Sequence, residues 1–138
     1  MPRTRQPSPL DANTLNHMEA VRIQLLRLHK VLLDDERATY EKLNGPMGGP
    51  SQVLSLVMSD PFFDWLHSIS RLIVKIDETS EAADATEESA AALIAQARDL
   101  ILSKNPESEF SGKYRSALQR NPAAVLAHGE VLKAFRDD

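Results

Sequence analysis

Apolar residues recur every three or four positions along most of the chain, which is the spacing of one face of an α-helix. The densest apolar stripe consists of Phe62, Trp65, Leu66, Ile69, Leu72, Ile73 and Ile76. Asp60 and Pro61 precede it, and this pair is a helix-start signal. The Asp side chain accepts from free N–H groups of the first turn, and the N–H that Pro lacks would have no helical partner at that position. The pattern predicts a helix over residues 60–80 at the centre of a core.

A second apolar stripe predicts a long first helix over residues 11–43. Its members stand close to heptad spacing and are Leu15, Met18, Val21, Leu25, Leu28, Leu32 and Leu43. Asn44-Gly45-Pro46 ends it, because Gly tolerates a left-handed exit and Pro bars continuation. At 1.5 Å per residue the helix is about 50 Å long. Because its predicted partners are shorter, part of it is free to pair with a second copy, and the pattern leaves both a monomer and a homodimer open.

Two connectors flank the central segment. Residues 47–50 lead into a short helix over residues 51–58, whose apolar positions are Val53, Leu54 and Val57. Residues 81–86 are rich in Ala and acidic side chains and predict a loop. Asp84 or Thr86 can cap the next helix, since either side chain can accept a hydrogen bond from a free N–H at a helix start.

Three further helices are predicted in the C-terminal half. The first begins with two glutamates, where negative charge suits the helix dipole, and it stops at Asn105-Pro106. Residues 110–118 form the next, and Asn121-Pro122 starts the last, whose apolar positions are Val125, Leu126, Leu132 and Phe135. No segment has the alternation of a strand bounded by hairpin turns. The predicted fold is therefore all-α, an antiparallel up-down four-helix-type bundle whose helices are broken by X-Pro restarts.

Composition fits a single soluble domain. The chain has 138 residues, of which 42% are hydrophobic and 26% are charged, as in ordinary globular proteins. Residues 1–10 contain three prolines and little apolar surface, which predicts a disordered tail ahead of one domain over residues 11–138. They also lack the apolar region of a secretory signal. The longest apolar run, residues 90–95, is far shorter than the roughly 20 residues that span a bilayer.

Charge and motifs exclude several function classes. The net charge is −4, and the basic residues are scattered among acids rather than concentrated as on a nucleic-acid surface. The absence of Cys removes disulfides, thiolate nucleophiles and Cys-based metal sites. Phosphate-binding loops, the Gly-x-Ser-x-Gly elbow, His-Glu-x-x-His and paired Glu-x-x-His motifs are also missing. The sequence therefore indicates no catalytic residues and no cofactor.

Three polar residues fall on the predicted buried faces. At 100° per residue, Glu36 lies about 20° and His29 about 40° from Leu25 on the first helix. His128 stands between the apolar residues of the last helix. Because an ionised Glu in a core is costly unless it is paired, something must satisfy Glu36.

Three interpretations of these residues are open. A metal site formed by His29, Glu36 and His128 is the first, but the first two are about 10.5 Å apart along one helix, whereas ligands usually stand one turn apart. The second, which we favour, is a polar network across the bundle. The predicted donors to Glu36 in that network are His128, Arg22, Tyr40 and Tyr114. The third is an apolar stripe whose end is open to solvent or to a partner.

The other two histidines are predicted to be solvated. His17 lies one position off the apolar stripe of the first helix. Asp64 and His67 have the spacing of metal ligands, but they fall on the polar back of the central helix, where further ligands would be needed. We therefore expect neither histidine to take part in a site.

Several runs of the chain resemble a small family of uncharacterised bacterial all-helical proteins. These runs are His29-Lys30, Asp35-Glu36-Arg37, Tyr40-Glu41, Gly45-Pro46, Asp60-Pro61-Phe62-Phe63-Asp64-Trp65-Leu66, Ser70-Arg71-Leu72-Ile73-Val74, Ile76-Asp77-Glu78, Tyr114 and residues 121–128. The resemblance covers about residues 18–135 and is carried chiefly by the Trp-containing run. It implies a bacterial, cytoplasmic, stand-alone helical domain, and no activity, cofactor or catalytic residue comes with it.

The sequence thus predicts a non-enzymatic helical interaction or structural module that self-associates or binds a partner helix. The alternative is a metal- or small-ligand-binding bundle with a polar core site near Glu36. The expected partners are a second copy or an unidentified protein. No nucleic acid and no membrane insertion are predicted.

Overall fold

The computed structural model describes residues 8–136, and helices make up most of this range, with no strand among the described residues. The helices are α1 (Ala12–Asn44), α2 (Pro50–Ser59), a 3-10 helix (Pro61–Leu66), α3 (His67–Glu81), α4 (Glu87–Leu102), α5 (Glu109–Arg120) and α6 (Pro122–Phe135). The all-α prediction is confirmed. Most of the predicted tail, residues 1–7, lies outside the described residues, whereas Leu10 is buried.

Helix α1 has the predicted start and end. The Asp11 side chain accepts from the Asn13 N–H at 2.7 Å, and Gly45 follows the last turn with a φ of 84°, a value that favours glycine. Its buried face consists of Met18, Val21, Leu25, Leu28, Leu32 and Glu36. The prediction that Leu43 belongs to this face is wrong. Leu43 is 70% exposed, because α1 extends past the end of the core.

The central segment is a 3-10 helix followed by α3, rather than the single helix that was predicted. Asp60 caps it by accepting from the Phe62 N–H at 2.9 Å. A 3-10 helix has three residues per turn, so residues i and i+3 lie on one line. Phe63 and Leu66 are accordingly both buried, while Phe62 is only half-buried. The 3-10 winding therefore places Phe63 in the core, instead of the predicted Phe62.

The C-terminal helices begin at polar caps. Thr86, rather than Asp84, caps α4: its hydroxyl accepts from the Ser89 N–H at 3.0 Å, and Ser89 Oγ accepts from the Thr86 N–H at 2.9 Å. Asn121 caps α6 by accepting from the Ala123 N–H at 2.9 Å. The predicted buried face of α6 is wrong at its start. The residues that α6 buries are Ala124, Val131 and Phe135, whereas Val125 and Leu126 are exposed.

Helix α1 is the central packing element. It contacts α3, α4, α6 and the 3-10 helix, and further contacts join α3 to α4, α4 to α6, and α5 to α6. One continuous apolar cluster runs through these contacts, from Leu10 to Phe135. Helix α2 contributes no fully buried residue to this cluster. It packs Val53, Leu56 and Val57 against the cluster and contacts mainly the 3-10 helix. No helix in the described range is long and apolar enough to cross a membrane.

Candidate functional site

Helix α2 is apolar, uncharged and poorly covered. Five of its ten residues are Val, Leu or Met, and none is charged. None of its residues is fully buried. Leu54 and Met58, one turn apart, are 60% and 67% exposed. The helix follows Gly48, whose φ of 97° requires glycine. Val53, Leu56 and Val57 pack against the core, whereas Leu54 and Met58 meet solvent.

A groove lies between α2, α1 and α3. Its volume is about 590 Å³, within the range of roughly 300–1,000 Å³ that is usual for ligand sites. Its apolar lining consists of Val57, Met58, Leu66 and Val74. Its polar lining consists of His29, His67, Ser70, Arg71, Lys75 and Glu78. We call it the α3 groove, because most of these residues come from one side of α3.

Two histidines tie the walls of the α3 groove together. Ser70 Oγ on α3 lies 3.0 Å from His29 Nε2 on α1. His67 Nε2 lies 3.2 Å from the Val57 carbonyl oxygen on α2, which accepts from it. Burial lowers the pKa of His29, and the neighbouring His67 lowers it further. Both effects favour the neutral form of His29, and Arg71, Lys75 and Glu78 place charges at the rim of the groove.

The Ser70–His29 pair lacks the surroundings of a catalytic dyad. Within the described residues, no carboxylate orients the second ring nitrogen of His29, as the third member of a triad does. Ser70 also lies 3.5 Å from the Leu66 carbonyl oxygen of its own helix. Because it stands inside α3, the neighbouring backbone N–H groups are used by the helix and cannot form an oxyanion hole. The pair joins two helices.

Glu36 is buried, and its donor differs from the predicted ones. The residue is 3% exposed, and its Oε2 accepts from the Trp65 indole N–H at 2.6 Å. Its Oε1 lies 3.7 Å from Arg120 Nη2. None of the four predicted donors bonds to it among the described contacts. A sequence signal for Trp65 does exist, since a buried indole N–H is a donor that needs an acceptor.

The three polar candidates are not brought to a common point of coordination. His29 bonds to Ser70 on α3 and Glu36 to Trp65, while His128 Nδ1 lies 2.6 Å from the Tyr114 hydroxyl oxygen. Burial raises the pKa of Tyr114 and lowers the pKa of His128, so both are neutral near pH 7. In the part of the chain that the structure describes, no group of three His, Asp or Glu residues could hold a metal ion.

An ion-pair cluster that the sequence did not indicate joins α1 to the α5–α6 junction. Arg120 Nε and Nη2 both donate to Asp35 Oδ2, at 3.0 and 2.5 Å. Asn121 Nδ2 donates to Asp35 Oδ1 at 3.2 Å. These partners are 85 and 86 positions apart in sequence, so no local pattern links them. The cluster fixes α5 and α6 against α1 next to Glu36.

Two histidines that were expected to be solvated are half-buried instead. His17 Nε2 lies 2.9 Å from the Ala134 carbonyl oxygen near the end of α6, where carbonyl groups lack helical partners. His67 is covered by α2, which folds across the side of α3 that was predicted to face solvent. In both cases another helix supplies an acceptor that the sequence does not reveal.

No protein-family model, curated protein or solved structure matches this chain. The family resemblance seen in the sequence stays a prediction. The function must therefore be argued from the α3 groove and from the exposed apolar residues beside it.

Proposed function

We propose that this chain is a non-enzymatic helical interaction module that self-associates through α2 and the outer side of α3. The interacting surface, here called the α2–α3 face, consists of Leu54, Met58, Val74, Arg71, Lys75 and Glu78. The observation that carries the proposal is that α2 is apolar and uncharged, yet buries none of its residues. An exposed apolar patch with a polar rim is characteristic of a protein interaction site.

Burial of the exposed apolar side chains would favour binding of a partner. Leu54, Met58 and Val74 are 60%, 67% and 52% exposed, and removing apolar surface from water contributes about 25 cal/mol per Å² before the entropic cost of association is subtracted. Helix α2 contains no Lys, Glu, Asp or Arg that would favour hydration. The α3 groove adds an apolar recess beside these residues. A second copy would bury both the exposed side chains and the recess.

We further propose that α1, α3, α4 and α6 form the antiparallel up-down bundle that carries this face. The contacts of α1 with α3, α4 and α6, of α3 with α4, and of α4 with α6 support a closed four-helix arrangement. A bacterial cytoplasmic setting follows from the sequence resemblance and suits a chain without Cys.

The proposal is tested by the mass of the protein in solution. We expect the wild-type chain to sediment as a dimer and the L54E/M58E variant as a monomer, because two buried carboxylates would oppose association. L126E is the matched control, since Leu126 is 74% exposed on α6 outside the α2–α3 face. Circular dichroism checks that each variant folds. A wild-type monomer, or a dimer that L54E/M58E leaves intact, would contradict the proposal.

A further inference from the structure

Resting on the proposed self-association, we infer that the second copy is related by a two-fold axis that passes close to Val74. The two α3 helices then run antiparallel, and Arg71 of each copy faces Glu78 of the other.

The outer line of α3 has a definite order of charges. Arg71, Val74, Lys75 and Glu78 stand at spacings of three and four, so they share one side of the helix. All four are exposed, and all four line the α3 groove. Among the described residues, no ion pair is formed by Arg71, Lys75 or Glu78, whereas the adjacent Asp77 lies 3.3 Å from Arg22. The line therefore has unpaired charges of both signs around one apolar residue.

The order of these charges selects the relative direction of two copies. Parallel α3 helices would place Arg71 against Arg71 and Glu78 against Glu78, which is repulsive. Antiparallel helices crossing between Val74 and Lys75 place Arg71 opposite Glu78, and the two-fold axis repeats that contact. Lys75 then stands one turn, about 6 Å along the helix axis, from the Glu78 of the other copy, and it lies next to the Lys75 of that copy across the axis. The antiparallel direction forms two Arg71–Glu78 pairs, whereas the parallel direction forms none.

The apolar residues fit the same arrangement. Val74 lies at the axis, and its small side chain allows the two helices to approach to about 8–10 Å. Met58 borders the groove beside Val74, and Leu54 lies one turn earlier on α2. Val74 and Met58 would thus form an apolar patch at one side of the axis, with charged residues on the other side and at the rim. The neutral His29–Ser70 pair stays in the groove floor.

Charge reversal tests the arrangement, with the dimer dissociation constant measured by sedimentation at low salt. R71E and E78R should each weaken the dimer about tenfold, because a single substitution creates two like-charge contacts across the axis. R71E/E78R should recover the wild-type constant to within a factor of about three, since it restores both pairs in reversed order. K104E, at an exposed position outside the face, should leave the constant unchanged.

Two results would overturn the inferred arrangement while self-association stands. One is a double reversal that binds no more tightly than the single variants, and the other is single variants that bind like the wild type. In either case, loss of the dimer in L54E/M58E would show that the face is used in another orientation. A monomeric wild-type protein would instead contradict the proposed function itself, together with this arrangement.

Discussion

At the scale of single residues, the pairing of Glu36 with Trp65 is the most demanding contact in the core. The carboxylate is 3% exposed and depends on the indole N–H at 2.6 Å, with Arg120 at 3.7 Å as a second partner. A buried carboxylate that loses its donor retains the full cost of desolvation. The two side chains should therefore be energetically coupled.

We predict that Trp65→Phe lowers the free energy of unfolding by about 2–4 kcal/mol, because it removes packing and leaves Glu36 without its donor. Glu36→Leu should also destabilise, since it leaves the indole unpaired. The loss of unfolding free energy in the double variant should be smaller than the sum of the losses in the two single variants, by about 1 kcal/mol or more. Urea unfolding of the four proteins measures this coupling, and strictly additive losses would contradict it.

How far the sequence predicts such contacts depends on their range. The burial of Glu36 follows from its angle on α1, and that prediction needs only helical geometry. The indole N–H of Trp65 indicates a buried donor, but its pairing with Glu36 does not follow from the sequence, because the two residues are 29 positions apart and the side-chain direction of Trp65 depends on the 3-10 helix. The pairing of Asp35 with Arg120 was missed for the same reason. A pattern along one helix indicates most of the residues on its buried face, and tertiary packing decides where that face ends and what its residues contact.

At the scale of elements, two interhelical contacts involve half-buried histidines. His29 bonds to Ser70 between α1 and α3, and His128 bonds to Tyr114 between α6 and α5. Burial lowers the pKa of both histidines below the ordinary value of 6.5. The unfolded chain therefore binds more protons than the folded chain between these folded-state pKa values and about pH 7. Stability rises with pH across that window and becomes independent of these groups above it.

We predict that unfolding free energy falls as the pH is lowered from 7 toward the folded-state pKa values of His29 and His128. H29Q/H128Q removes both titrations, so its stability should depend less on pH in that window. H17Q is the matched control, because it removes a histidine outside both contacts. Urea unfolding at a series of pH values gives, for each protein, the slope of the unfolding free energy against pH. Equal slopes in the wild type and in H29Q/H128Q would refute the role of these histidines.

The helices themselves differ in how well the sequence predicts them. Helix α1 was predicted to within one residue at each end, because Asp11 and Gly45 mark its ends with a cap and a left-handed exit. The break between the 3-10 helix and α3 was not predicted, because the apolar pattern fits either winding. Phe62 fits the buried stripe of an α-helix, and Phe63 fits that of a 3-10 helix. The start of α6 was assigned to the wrong face, because Ala124 is buried where the larger Val125 was expected.

At the scale of the whole molecule, the position of α2 creates the candidate interface. Its sequence predicts only a short apolar helix, and such a helix would ordinarily be buried. Packing against the 3-10 helix instead places it at the side of α3, covers His67, and leaves Leu54 and Met58 exposed. The α3 groove is a product of this placement. No local pattern along the chain predicts it, because its lining comes from α1, α2, the 3-10 helix and α3.

The mass of the wild-type chain in solution, measured by sedimentation over a range of concentrations, tests this account most directly. The account predicts a species of twice the 15.3 kDa of the chain that dissociates on dilution and is lost in L54E/M58E. A species that keeps the mass of one chain at the highest attainable concentration would contradict it.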